Sequence, residues 1–171
     1  MSNPILWSNI FQKKEHRVLL DILKQIPIFE ELNKTELKAL ERILHRRMYR
    51  EGEYVFHAGD LGVGMYIIEE GEVSILADKT EREIALLHEG EFFGELALLI
   101  EERRTAHAIA RTDTKVFGFF QPDLFSLLER KPRLGVSVVM KLAKVIARRM
   151  QMTIDENQIL LDRIASFEGA E

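Results

Sequence analysis

Residues 92–108 read Phe-Phe-Gly-Glu-Leu-Ala-Leu-Leu-Ile-Glu-Glu-Arg-Arg-Thr-Ala-His-Ala, with Gly94-Glu95 followed nine positions later by Arg104. The apolar run that opens on this glycine and carboxylate has room for about one and a half helical turns, whose first amides would carry the positive end of the peptide dipoles and accept an anion. Gly94 lets the anion approach the backbone with no side chain in the way. Arg104, brought back by a turn, offers phosphate oxygens a two-pronged, charge-assisted contact that lysine cannot reproduce. Glu95 repels phosphate and suits a hydroxyl donor a few ångströms away, such as that of a ribose. Leu96, Ala97, Leu98 and Leu99 would anchor the other side of the short helix. Singly, each residue has an ordinary structural explanation. A glutamate at a helix start favours the dipole, and an arginine near Glu101 and Glu102 forms a surface ion pair. The combination at this spacing marks a site.

Outward from this stretch, residues 48–120 alternate short runs of β-formers with glycine turns at Gly52, Gly59, Gly62, Gly64, Gly71, Gly90 and Gly94. Strands are expected at Tyr54–Phe56, Met65–Ile68, Val73–Leu76, Ile84–Leu87, Ala106–Ala110 and Val116–Phe120. Many short antiparallel strands at this spacing mean a sandwich, barrel or jelly roll.

The flanks read helical. Val18, Leu19, Ile22, Leu23 and Ile26 have the spacing of one buried helix face ending at Pro27. Asn33 with Glu36 three residues on announces a second helix, with Leu37, Leu40, Ile43 and Leu44 on its buried face and His45 at its end. Pro122 and Pro132 each suit a first helical turn, giving a helix through Leu128 and a longer one to about Ile164. The longer helix carries a broad stripe of Val138, Val139, Leu142, Val145 and Ile146, then a seam of Met150, Ile154, Asn157, Leu161 and Ile164 with alternating spacings of four and three. That seam fits either packing on its own domain or a homodimer through the C-terminal helix, with Asn157 fixing register.

Composition narrows the classes of function. A chain of 171 residues, 46% hydrophobic and 30% charged, supports one core, and one structural domain is expected. The organisation is N-terminal helices over 1–46, a β-region over 47–120 and C-terminal helices over 121–171. A net charge of −4 leaves no general footprint for nucleic acid. The basic runs His45-Arg46-Arg47 and Arg130-Lys131-Pro132-Arg133 read as solvated faces. With no cysteine there is neither a disulfide framework nor a thiolate metal site. The apolar patch Pro4-Ile5-Leu6-Trp7 is too short for a signal-peptide core or a membrane span, so a soluble, cytoplasmic protein without membrane contact is expected. The five histidines, His16, His45, His57, His88 and His107, are scattered without ligand spacing, which counts against a metal-holding roll enzyme. No phosphate-cradling loop or serine nucleophile elbow appears. A non-enzyme with no cofactor and no metal is expected.

The segment Phe93-Gly94-Glu95-Leu96-Ala97-Leu98, then Arg104-Thr105-Ala106, resembles the phosphate-binding cassette of the cyclic nucleotide-binding domain family. Gly59-Asp60, Met65-Tyr66-Ile67-Ile68 and Gly71-Glu72-Val73 resemble the family's early strands and turns. The order of helices, β-roll, hinge helix and long final helix also resembles it, over roughly Ile26 to Met152. The resemblance implies an α+β, mainly β fold: an antiparallel β-roll, or double-stranded jelly roll, flanked by N-terminal helices and a long C-terminal helix, with its cassette at 93–106. It implies cyclic AMP or cyclic GMP as ligand. Glu95 would hold the ribose 2′-hydroxyl, Arg104 the cyclic phosphate, and amides near Leu96 and Ala97 its other oxygens. Gly94, Thr105 and Ala106 complete the cassette. Thr105 can bond a phosphate oxygen or, in a syn nucleotide, the guanine amino group. The family covers the base with its last helix, which makes Arg148, Arg149 and Met152 candidates for that role.

His107 departs from the small or hydroxyl residue common there and is read as structural, pointing away from the pocket. Glu101-Glu102 replaces the usual glycine or proline of the loop and puts negative charge near an anion site. Those charges, with the seam, motivate a competing reading as a non-binding dimerisation or scaffold module. After the final helix too few residues remain for a winged helix-turn-helix, so any signal is expected to pass to a separate partner. A single arginine matching a single negative charge argues against nucleoside triphosphates.

Overall fold

The structure, a computed structural model, describes residues 19–168. Eight strands form two four-stranded antiparallel sheets. In chain order they are β1 (His45–Tyr49), β2 (Tyr54–Phe56), β3 (Gly64–Glu70), β4 (Val73–Ala77), β5 (Glu83–Leu87), β6 (Phe92–Phe93), β7 (Ala106–Ala110) and β8 (Thr114–Phe120). One sheet has the order β1-β8-β3-β6, the other β2-β7-β4-β5. This is the expected β-roll.

Alternation along β3 shows how the layers share a core. Tyr66 and Ile68 face inward with Val73, Phe93, Ala108 and Val116, so both sheets contribute to one cluster. Met65 and Ile67 point to the opposite face, where with Phe117 and Phe119 of β8 they meet the helices. A strand covered on both faces reads as a continuous apolar run, and β3 does so from Met65 to Ile68.

Helix α1 spans 19–25 among the described residues and stops before Pro27; Val18, the first residue of the expected apolar face, lies outside them. Helix α2 (Lys34–Glu41) begins with the expected reciprocal cap. Asn33 Oδ1 accepts from the Thr35 and Glu36 amides, and Glu36 Oε2 accepts from Asn33 N–H at 2.9 Å. Helix α3 (Gln121–Arg130) has Pro122 in its first turn, and Asp123 Oδ2 accepts from Phe120 N–H. Helix α4 (Pro132–Glu168) follows at once. Leu134, Val138 and Leu142 are buried against α1, α2 and α3, with Val139, Val145 and Ile146 half-buried beside them. Lys141 pairs with Glu31, beside the turn that follows α1.

Two expectations need correction. Helix α2 ends at Glu41, and His45, read as the end of that helix, begins β1. The strand was hidden because its side chains His45 to Met48 are all exposed; an edge strand held only by β8 needs no alternation of apolar and polar residues. The two-residue β6 was likewise too short to read. The open choice for the α4 seam also narrows: Met150, Ile154, Asn157, Leu161 and Ile164 are exposed, so the second half of α4 does not pack on its own domain. Among the described residues no helix is long and apolar enough to cross a membrane, and no group of three or more His, Asp or Glu is placed to hold a metal ion.

Candidate functional site

Between β6 and β7 the chain leaves the sheets and returns, and this excursion builds the site. Gly94 takes the left-handed conformation, φ 74°, and caps a single 3-10 turn, Glu95–Leu98. The turn is tighter than the expected α-helical one, with the Ala97 amide bonded back to Gly94 O at 3.2 Å. Ala97 and Leu98 are buried beneath it, whereas Leu96 is exposed. A side chain at Gly94 would have its Cβ 2.6 Å from Arg104 Nη1, so it would displace the guanidinium, and the positive φ itself favours glycine.

Arg104 is buried, 9% exposed. Its Nη1 donates to Gly94 O at 3.1 Å and its Nη2 to Gly64 O at 2.6 Å. The guanidinium lies over the Phe56 ring, 4.1 Å from its centroid, with Tyr66 at 5.9 Å. Its Nε is buried with no hydrogen-bond acceptor, and among the described residues no carboxylate forms an ion pair with it. Burial lowers its pKa from the ordinary arginine value, an effect partly offset by Tyr66, Asp60 and Glu95. Arginine nevertheless stays cationic at neutral pH. A buried cation with an orphaned donor is costly unless an anion joins it.

Glu95 is the second buried charge, 7% exposed. Its Oε1 accepts from Arg149 Nη1 at 2.8 Å. Arg149 reaches over from α4, donating also to Phe92 O at 3.3 Å and lying 4.6 Å above the Phe92 ring.

These groups open into one cavity of about 600 Å³. Gly94, Glu95, Leu96, Ala97, Arg104, Thr105 and Ala106 all line it, joined by Arg149. Sequence reasoning did not find the apolar wall: Phe56 of β2, whose ring underlies the Arg104 guanidinium, with Ile75, Ala85 and Leu87 of β4 and β5. Runs of β-formers between glycine turns marked the strands, but only the sheet order brings these side chains into one cavity with Arg104. Arg148 and Met152 are exposed and outside the lining, so of the three candidates on α4 the structure brings only Arg149 to the cavity. His107 also stays out of the lining; its ring faces Ala58, His57 and Asp78. Glu101 is exposed and outside the lining, whereas Glu102, also exposed, lines the cavity beside Arg103, so one of the two expected negative charges does stand at its mouth, in contact with solvent. The arrangement can hold one small anion against Arg104, one hydroxyl donor against Glu95 and a flat apolar group against the wall.

A family model described as the cyclic nucleotide-binding domain matches residues 46–131. The cyclic AMP receptor protein of Thermus thermophilus is 36% identical over 151 residues, covering 86% of this chain and 66% of its own length. A cGMP-dependent protein kinase of Caenorhabditis elegans is 33% identical over 126 residues, or 67% of this chain and 16% of the kinase. The crystal structure of the Thermus thermophilus catabolite activator protein superposes with a TM-score of 0.70 at 34% identity, covering 78% of this chain and 62% of that one. The chain therefore spans less than two thirds of the length of these relatives.

Proposed function

The chain belongs to the cyclic nucleotide-binding domain family, and from that premise we propose that it is a cytoplasmic sensor binding cyclic AMP or cyclic GMP in the cavity beside Arg104. The observation that carries this reading is the buried guanidinium whose Nε has no acceptor. A cyclic phosphate brings one negative charge and several acceptor oxygens to that donor. Glu95, in the same cavity, takes the ribose 2′-hydroxyl through an acceptor lone pair that Arg149 leaves available. The base lies toward Phe56, Ile75 and Leu87, with Thr105 at the rim to distinguish guanine from adenine.

Because Arg149 of α4 holds Glu95, a ligand hydroxyl arriving at Glu95 alters the contact that ties the long helix to the roll. Binding is thus transmitted to the exposed half of α4. Its seam of Met150, Ile154, Asn157, Leu161 and Ile164 supports a homodimer, and the output passes to a separate protein. The role is one of binding, with no residue assigned to catalysis.

Titration calorimetry with each nucleotide tests the proposal; absence of heat for both at high micromolar concentration sinks it. A second reading, a scaffold module that binds no nucleotide, draws on the Glu95–Arg149 ion pair, which already neutralises the carboxylate. A dimer whose melting temperature ignores both nucleotides would favour it.

A further inference from the structure

Arg104 owes its position to backbone contacts on both of its peptide groups. Its N–H donates to Asp60 O and its carbonyl accepts from Gly59 N–H, each at 2.8 Å. The adjacent Arg103 Nη1 donates to Gly59 O at 2.6 Å, and Gly62 N–H donates to Glu102 O at 3.0 Å. The connection from β2 to β3 is thereby zipped to the arm that carries the arginine. Two side chains fix the entry of that connection. Asp60 Oδ2 accepts from His57 N–H at 2.7 Å, and His107 Nδ1 on β7 accepts from Ala58 N–H at 3.1 Å.

A ring nitrogen that accepts an amide N–H carries no proton of its own, so this arrangement requires neutral His107 with its proton on Nε2. That nitrogen faces Asp78, with the carbonyl at 3.4 Å and Oδ1 at 3.9 Å. Only 16% of the side chain is exposed. His57 packs edge to face against it at 5.7 Å, and Tyr54, stacked on His57, presents its ring at 5.9 Å.

We propose that His107 is a positioning residue for the ligand site: neutral, it pins the loop at Ala58 and so holds Arg104 in place, and protonated, it releases the loop and weakens binding. The inference rests on the nucleotide-binding reading above. Histidine ordinarily changes charge between pH 5 and 8. A proton on Nδ1 turns the acceptor into a donor facing the Ala58 donor. The titratable groups that face the ring are Asp78 and His57, and Tyr54 presents its ring. Since the pinned state needs the neutral form, affinity rises from acidic to neutral pH and binding releases protons on the acidic side. One neutral hydrogen bond sets the scale, about two- to tenfold in affinity.

The test compares the wild type with His107→Asn, whose side-chain oxygen can accept from Ala58 without titrating, and with His107→Leu, which has no acceptor. Affinity for cyclic AMP and cyclic GMP is measured by calorimetry from about pH 5.5 to about pH 8, with His57→Asn as a control for the neighbouring ring. In parallel, exchange of the Ala58 amide is followed by NMR in ligand-free protein. The expected result is a two- to tenfold loss of affinity toward acid in the wild type and in His57→Asn, a flat profile in His107→Asn, and a flat but weakened one in His107→Leu. Ala58 should lose protection in acid only where His107 is present. The same pH slope in His107→Asn, or an Ala58 amide indifferent to pH in the wild type, overturns the proposal. Should neither nucleotide bind at any pH, the functional reading fails, while the Ala58 amide still decides whether His107 pins the loop.

Discussion

Replacing Arg104 by methionine separates a ligand-binding arginine from a structural one. The thioether fills much of the arginine stem's volume over Phe56 but removes the charge and every donor. In the ligand-free protein the carbonyls of Gly64 and Gly94 lose their partners, at about 1–3 kcal/mol each if no water replaces them. Against this, a buried cation without an ion-pair partner disappears, which relieves several kcal/mol of desolvation. The two effects have opposite sign and similar size, so unfolding free energy should change by no more than about 2 kcal/mol. Nucleotide binding has no such compensation. The phosphate loses at least the charged bond to Nε and the attraction of a buried cation, about 3–4 kcal/mol, or two to three orders of magnitude in affinity. Calorimetry gives the affinity and urea denaturation of the ligand-free protein gives the stability. Arg104→Lys should recover only part of the affinity, because a point charge replaces a planar fork. Wild-type affinity in Arg104→Met would refute the assignment. So would a stability loss that matches the affinity loss, since the arginine would then be serving the fold.

Gly94→Ala places a side chain at φ 74° and a Cβ 2.6 Å from Arg104 Nη1. It should destabilise the fold by about 1–2 kcal/mol and weaken nucleotide binding, as checked by thermal melting and calorimetry. Ile154→Lys together with Leu161→Lys puts charge on two exposed seam positions of α4, and sedimentation should show a shift from dimer to monomer with the melting temperature of the roll unchanged. Glu31 has its pKa lowered by the hydrogen bond and charge of Lys141. The folded value lies below the unfolded one, so this contact supports stability above the ordinary carboxylate range and is lost as pH falls through the folded value. NMR titration should find the Glu31 carboxylate below its ordinary value in the wild type and returned toward it in Lys141→Met.

Much of the fold is written in local sequence. The runs of β-formers in β3, β4, β7 and β8, the Asn33 and Glu36 cap, and the prolines at the starts of α3 and α4 are governed by sterics and hydrogen bonds among residues a few positions apart. Where the buried set departs from such a period, the sequence is silent. Strand β1 is legible only through its pairing with β8, because its exposed His-Arg-Arg-Met run carries no face. The cassette was legible for the same reason as the caps: a positive-φ glycine, a carboxylate and an arginine lie within one short excursion.

The sequence by itself determined the identity and spacing of the charged groups, the β-rich middle and the helical flanks, since these follow from short-range conformational preference. Tertiary structure alone decided what those charges meet. The bond from Arg104 to Gly64 spans 40 positions and that from Arg149 to Glu95 spans 54. Contacts over such distances depend on sheet order, register and helix placement, which no local pattern encodes. The orphaned Nε of Arg104, the apolar wall at Phe56 and the hold of His107 on Ala58 exist only once the two sheets have closed.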